Sequence, residues 1–94
     1  MGTGPEQLIS QVKAEFDQWL SRREGWHISQ NDLAAIQRQI DALANAYWLH
    51  EQLAEAQRLR LLVRRRGFDE SALFPSLARL LALKLRRPPI KVTP

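Results

Sequence analysis

Between Gly25 and Gly67 the sequence contains neither glycine nor proline. Most of the interval consists of alanine, leucine, glutamine, glutamate and arginine, which favour helix. Ser29 opens this stretch and Asp32 follows three residues later, a spacing that resembles the capping box of a helix start. The sequence therefore predicts one central helix over residues 29–66, about 57 Å long at 1.5 Å per residue.

A shorter helix is predicted before the central one, over residues 5–23, with Pro5 at its first position. Its apolar residues recur at helical spacing and form a single stripe: Leu8, Ile9, Val12, Phe16, Trp19 and Leu20. Because only a short connector follows, we expect this helix to lie antiparallel to the first half of the central helix. The same pairing should bring Phe16, Trp19, Tyr47 and Trp48 together in the core.

Gly67 marks the end of the central helix, since glycine is common just past a helix C-terminus. Asp69 is then expected to cap a short turn over residues 70–74, and Pro75 to open a third helix over residues 75–86. The predicted fold is all-α with three main helices, in which the third helix folds back over the second half of the central helix.

The apolar side of the central helix changes along its length. The first half has one stripe, formed by Leu33, Ile36, Ile40, Leu43 and Tyr47, and the second half has another on the opposite side, formed by Ala46, Leu49, Leu53, Ala56, Leu59 and Val63. The third helix can cover only one side of residues 49–63. We therefore expect a second copy of the chain to cover the other side in a homodimer. The predicted protein interface consists of Leu49, Leu53, Ala56, Val63, Leu80 and Leu83.

Charge is distributed unevenly along the chain. Residues 1–50 carry four basic and six acidic side chains, whereas residues 51–94 carry ten basic and four acidic ones. Such a basic half can contact phosphates or an acidic protein partner. The candidate contacts are Arg58, Arg60, Arg64, Arg65, Arg66, Arg79, Arg86, Arg87 and Lys91. Arginines near a helix C-terminus are also favoured by the helix dipole, and no known nucleic-acid-binding motif accompanies them.

No catalytic, metal or cofactor motif occurs in the sequence. The chain has no cysteine, and neither His27 nor His50 has a second histidine at metal-binding spacing. The four glycines do not form a phosphate-binding loop. We therefore expect no enzymatic activity and no cofactor.

The absence of cysteine, and of an apolar signal segment at residues 1–6, favours a cytoplasmic location. No uncharged apolar run approaches the ~20 residues that span a bilayer. A membrane-surface role for residues 73–87 is disfavoured, because their apolar face is needed for packing on the central helix.

Residues 1–87 are predicted to form one helical domain, followed by a proline-rich, basic and extended tail at residues 88–94. The function expected from these features is that of a homodimeric adaptor or regulator, a small interaction module that binds another protein. The alternative is a nucleic-acid-binding regulator that uses the basic half.

Overall fold

Five helices make up most of the described part of the chain. The structure is a computed structural model that describes residues 4–22 and 28–86, and no strand occurs in that part. The helices are α1 (Pro5–Ser21), α2 (Gln30–Asn45), α3 (Leu49–Arg65), α4 (Glu70–Leu73) and α5 (Pro75–Arg86). The predicted all-α class is confirmed. The connector at residues 23–27 and the predicted tail at residues 88–94 lie outside the described residues.

α1 forms where the sequence predicts it, and a local signal defines its start. Pro5 takes the first helical position, and the carbonyl oxygen of Gly4 accepts a hydrogen bond from the N–H of Leu8 at 3.1 Å. At the other end, the N–H of Arg22 donates to the carbonyl oxygen of Gln18 at 3.0 Å. The residues that α1 buries all lie on the predicted stripe: Leu8, Ile9, Val12, Phe16 and Trp19.

The prediction of a single helix over residues 29–66 is wrong, because the chain reverses direction at residues 46–48. Ala46 and Trp48 both have extended backbone conformations, with ψ angles of 133° and 149°. The start of the predicted helix is correct: the Ser29 side chain accepts a hydrogen bond from the N–H of Asp32 at 3.1 Å. The helix that begins there ends at Asn45.

Two side-chain contacts show that α2 and α3 form an antiparallel hairpin. Midway along it, Nε2 of Gln39 donates to Oε1 of Glu55 at 2.7 Å. At its open end, Nε of Arg66 donates to Oδ1 of Asp32 at 2.5 Å. The reversal places most of the two apolar stripes, which a continuous helix would hold on opposite sides, together on the inside of the bundle. Ile36, Ile40, Leu43, Ala56, Leu59 and Val63 are accordingly all buried.

The end of α3 is a Schellman turn centred on Gly67, the residue that the sequence predicts just past the helix end. Gly67 has a φ of +81°, and its N–H donates to the carbonyl oxygen of Arg64 at 3.0 Å. The N–H of Phe68 donates to the carbonyl oxygen of Val63, also at 3.0 Å. Only glycine adopts this φ without steric cost, so the position fixes where α3 stops.

The predicted caps and boundaries after Gly67 are also confirmed. The Asp69 side chain accepts a hydrogen bond from the N–H of Ser71 at 3.0 Å and caps the single turn of α4. Pro75 then opens α5. Near the start of α5, a carboxylate from another helix accepts a backbone hydrogen bond: the N–H of Ser76 donates to Oε1 of Glu15 in α1 at 2.9 Å.

The four long helices form an up-and-down four-helix bundle. α1 packs on α2 and α5, and α3 packs on the same two helices, so the order around the bundle is α1, α2, α3, α5. The predicted three-helix arrangement is wrong for this reason. α1 packs more extensively on α5 than on α2, and α5 also covers α3. The prediction that the N-terminal helix lies along residues of α2 is correct in part, since α1 and α2 are in contact.

The aromatic core differs from the predicted one in half of its members. Phe16 stacks on Trp19 and on Phe74, with ring centroids 6.1 and 6.0 Å apart. The ring of Phe68 meets Trp19 edge-on at 5.6 Å. Tyr47 and Trp48 do not join this cluster, because the reversal at residues 46–48 places them at the end of the hairpin.

No helix within residues 4–22 and 28–86 is both long and apolar enough to cross a membrane.

Candidate interaction site

Three consecutive apolar residues are exposed where α2 turns into α3. The residues are 77% (Tyr47), 59% (Trp48) and 42% (Leu49) exposed. The two aromatic rings meet edge-on with centroids 4.8 Å apart. We call residues 47–49 the aromatic tip. A single exposed apolar residue is ordinary, but a contiguous group with two large rings is typical of a surface that binds a partner.

Hydrogen bonds from the first turn of α3 hold the aromatic tip in place. Oε1 of Glu51 accepts from the backbone N–H groups of Tyr47 and Trp48, at 3.3 and 3.2 Å. The buried side chain of Gln52 donates from Nε2 to the carbonyl oxygen of Ala46 at 3.2 Å. Backbone groups that the turn would otherwise leave unpaired are thereby satisfied. The tip is a fixed turn between two helices that presents its rings to solvent.

A cleft of about 340 Å³ lies beside the aromatic tip. Its walls come from the start of α1, the end of α2 and the start of α3, and they consist of Glu6, Ile9, Ser10, Ala44, Asn45, Ala46, Tyr47 and Gln52. The lining combines apolar surface with amide and carboxylate groups. The cleft therefore offers both apolar contact and hydrogen-bonding groups to a ligand.

Most of the predicted protein interface is inside the bundle. Ala56, Val63 and Leu80 are fully buried, because α1, α2, α3 and α5 enclose them. Leu53 and Leu83 are half-buried, and Leu83 packs against the core. Leu49 alone of the six is exposed, and it belongs to the aromatic tip. The part of the second apolar stripe from Ala56 to Val63 is therefore covered by the chain itself and no longer requires a second copy.

Four of the predicted phosphate-contacting arginines are paired with carboxylates of the same chain. Arg58 lies 2.8 Å from Glu55. Arg60 and Arg64 both contact Oε1 of Glu70, at 3.1 and 3.0 Å. Arg66 pairs with Asp32, as described above. These partners lower the positive potential that the sequence alone suggests.

The remaining candidates divide into two groups. Arg65 and Arg79 are exposed, and neither has an ion pair among the residues that the structure describes. The side chain of Arg86, and all of Arg87 and Lys91, lie outside the described residues. The structure thus brings no cluster of unpaired arginines together in its described part.

Glu55 is the described carboxyl group whose environment shifts its titration. The hydrogen bond from Gln39 holds the pKa of Glu55 below its ordinary value, and the nearby Arg58 acts in the same direction. Partial burial opposes both effects, since it disfavours the charged form. The residue joins α2 to α3, so its charge has a structural role.

Polar groups in the bundle interior have structural partners. Oγ of Ser76 lies 2.5 Å from Oε2 of Glu15 and 3.0 Å from Oε1 of Gln11. Ser76 is 2% exposed and no histidine is near it in these contacts, so the group lacks both the access and the base that a nucleophilic serine needs. Among the described residues, no three His, Cys, Asp or Glu side chains are grouped as metal ligands would be.

Sequence reasoning missed the aromatic tip because it assigned Tyr47 and Trp48 to a helix interior. The signal that could have found it is the change of apolar side at residues 47–49. A change of side within a continuous helix requires a second element to cover it, whereas a chain reversal at the same place buries most of both stripes at once.

No family model, curated protein or solved structure matches this chain.

Proposed function

We propose that this chain is a small, non-catalytic helical interaction module that binds another protein through its aromatic tip. The observation that carries the proposal is the exposure of Tyr47 and Trp48, 77% and 59%, in a turn that hydrogen bonds hold fixed. Each ring would gain contact area on binding, and aromatic residues are enriched among those that dominate binding energy at protein interfaces.

The fixed geometry of the tip favours binding for a second reason. Association costs free energy whenever side chains and loops must be ordered, at roughly 0.5–1.5 kcal/mol for each mobile side chain. Glu51 and Gln52 already order the backbone of the tip in the free chain. Less of the binding energy is then spent on ordering the site.

The expected homodimer rested on the two-sided stripe, which the bundle covers. The proposal therefore does not depend on a second copy, although an exposed aromatic patch can pair with itself about a two-fold axis. Sedimentation velocity of the wild-type chain measures this directly. Dimers that dissociate in Trp48→Ala would make a second copy the partner.

The nucleic-acid alternative is weaker because of the ion pairs of Arg58, Arg60, Arg64 and Arg66. Phosphate binding would have to break these pairs or rely on other cations. A mobility-shift titration at two salt concentrations separates the alternatives. Tight binding that weakens steeply with salt would favour nucleic acid.

Partner capture with matched variants tests the proposal. The variants are Tyr47→Ala and Trp48→Ala, and the control is Leu61→Ala, which shortens another exposed apolar side chain, 40% exposed, away from the tip. We expect wild type and the control to retain the same protein at near-equal amounts, and both tip variants to lose it. A set of captured proteins that is the same for all four chains would contradict the proposal. Circular dichroism of each variant checks that its helices are intact.

A further inference from the structure

The end of α5 lies at the same end of the bundle as the aromatic tip. Contacts between the C-terminal part of the chain and α1 run in opposite orders: Phe68 meets Trp19, and Phe74 meets Phe16. Further along, Ser76 contacts α1 at positions 15 and 11. α5 is therefore antiparallel to α1 and runs towards the start of α1.

The length of α5 brings its last residue close to the cleft. Ten residues separate Ser76 from Arg86, which at 1.5 Å per residue is about 15 Å along the helix axis. That distance carries the chain from the level of Gln11 to the first turn of α1. Glu6 and Ile9, which line the cleft beside the aromatic tip, belong to that part of α1.

The sequence that follows α5 has the composition of a peptide ligand for an aromatic surface. Residues 87–94 read Arg-Pro-Pro-Ile-Lys-Val-Thr-Pro, with three prolines and two basic side chains in eight residues. Extended chain at about 3.1 Å per residue gives these eight residues a reach of roughly 25 Å. This reach exceeds the ~8–10 Å between the axes of packed helices, and α5 packs on α3, whose first residue belongs to the tip.

Two kinds of complementarity connect this segment with the site. Proline-rich peptides bind grooves lined by aromatic rings, because the peptide is stiff and loses little entropy on binding. Tyr47 and Trp48 provide such rings. The exposed carboxylate side chains beside them, Glu6 and Glu51, are opposite in charge to Arg87 and Lys91, which favours one orientation of the peptide.

We propose that the aromatic tip and its cleft bind the proline-rich segment 87–94 of the same chain. The inference rests on the proposed function for the location of the site, and it names the ligand. Because the segment is tethered, its effective concentration at the site is high, on the order of millimolar for a short linker. The segment therefore competes with an outside protein for the tip. A variant whose segment no longer binds the tip should bind the outside protein more tightly.

Paramagnetic relaxation in the full-length chain tests the proposal. The sequence contains no cysteine, so Thr93→Cys gives a single site for a spin label. We expect the label to remove most of the intensity of the Trp48 indole signal and of the backbone amide signals of Tyr47 and Leu49. The control is a label at Ser71→Cys, an exposed position on α4, and it should leave these signals unchanged.

Two further samples decide how the segment reaches the site. In the first, isotope-labelled wild type is mixed with unlabelled chains that carry the spin label at position 93; the proposal expects no loss of the tip signals here. Loss of the tip signals in the mixed sample would show binding between chains and overturn the proposal. In the second, Pro88→Ala and Pro89→Ala are added to the Thr93→Cys chain, and the tip signals should recover.

Unchanged tip signals in the labelled Thr93→Cys chain would also overturn the inference. That result leaves the proposed function standing if Trp48→Ala still loses the captured protein. If the label removes the tip signals but Trp48→Ala captures the same proteins as wild type, the segment binds the tip and the proposed function fails.

Discussion

The side-chain amide of Gln39 donates two hydrogen bonds to Glu55, at 2.7 Å to Oε1 and at 3.1 Å to the backbone carbonyl oxygen. In a continuous helix the two residues would be about 24 Å apart, since 16 residues rise 1.5 Å each. The pair can meet only because the chain reverses between them. That reversal covers the second apolar stripe from Ala56 to Val63 and exposes Tyr47 and Trp48.

Stability should depend on Phe74 and hardly at all on Trp48. Phe74 is fully buried and stacks on Phe16, so Phe74→Ala should lower the free energy of unfolding by about 3–5 kcal/mol. Trp48 is 59% exposed, and Trp48→Ala should change the free energy of unfolding by less than about 0.5 kcal/mol. Denaturant unfolding measures both variants. A cost for Trp48→Ala similar to that of Phe74→Ala would mean that the ring is part of the core.

The carboxylate of Glu15 should stabilise the start of α5. It accepts the backbone N–H of Ser76, a residue that is 2% exposed, at 2.9 Å, so Glu15→Ala leaves this buried donor without a partner, whereas the Ser76 hydroxyl keeps its contact with Gln11. We expect a cost of about 1–3 kcal/mol in the free energy of unfolding. Asp17→Ala is the matched control, because it removes the same charge from an exposed position of α1. Equal unfolding curves for the two variants would show that the Glu15 contact contributes nothing.

Gly67 and Gly4 should respond differently to alanine. Gly67 has a φ of +81°, where a Cβ is strained, and Gly67→Ala should cost about 1–2 kcal/mol. Gly4 has a φ of −85° and open space around it. In Gly4→Ala the weaker N-cap and the reduced freedom of the unfolded chain act in opposite directions, so little net change is expected. Thermal unfolding of the two variants compares them, and a larger loss for Gly4→Ala would contradict the assignment of the turn.

Local signals explain which parts of the fold the sequence predicts. The start of α1, the turn at Gly67 and the start of α5 each depend on a proline or glycine whose backbone preference acts within a few residues. The cap at Asp69 is equally local. These features were predicted correctly because no distant contact is needed to form them.

Contacts between distant residues explain the failures. Residues 46–48 contain no glycine or proline, and the turn forms there because the hairpin buries two stripes and pairs Gln39 with Glu55. The contact between Glu15 and Ser76 joins positions 61 residues apart, and no spacing rule predicts it. The aromatic tip was missed for the same reason. Helical periodicity places Tyr47 in the first apolar stripe, but the helix that carries this stripe ends at Asn45.

Acid should weaken the link between α2 and α3 through Glu55. Its pKa is lowered in the folded chain relative to the ordinary value of 4.5, chiefly by the hydrogen bond from Gln39. The stabilisation is therefore fully present above about pH 4.5, and it is lost as the pH falls through the lower folded pKa. The free energy of unfolding, measured between pH 2 and 7, should fall less steeply with decreasing pH in Glu55→Gln than in wild type. An identical decrease in the two chains would exclude a contribution from Glu55.

The reversal at residues 46–48 is most directly tested by one distance across the open end of the hairpin. Spin labels at Asn31→Cys and Arg65→Cys occupy exposed positions on α2 and α3, next to the contact between Asp32 and Arg66. Electron–electron dipolar spectroscopy should give a short distance, close to the ~8–10 Å between packed helix axes plus the length of the label arms. A distance of about 51 Å, which 34 residues span in one continuous helix, would contradict both the bundle and the exposed aromatic tip.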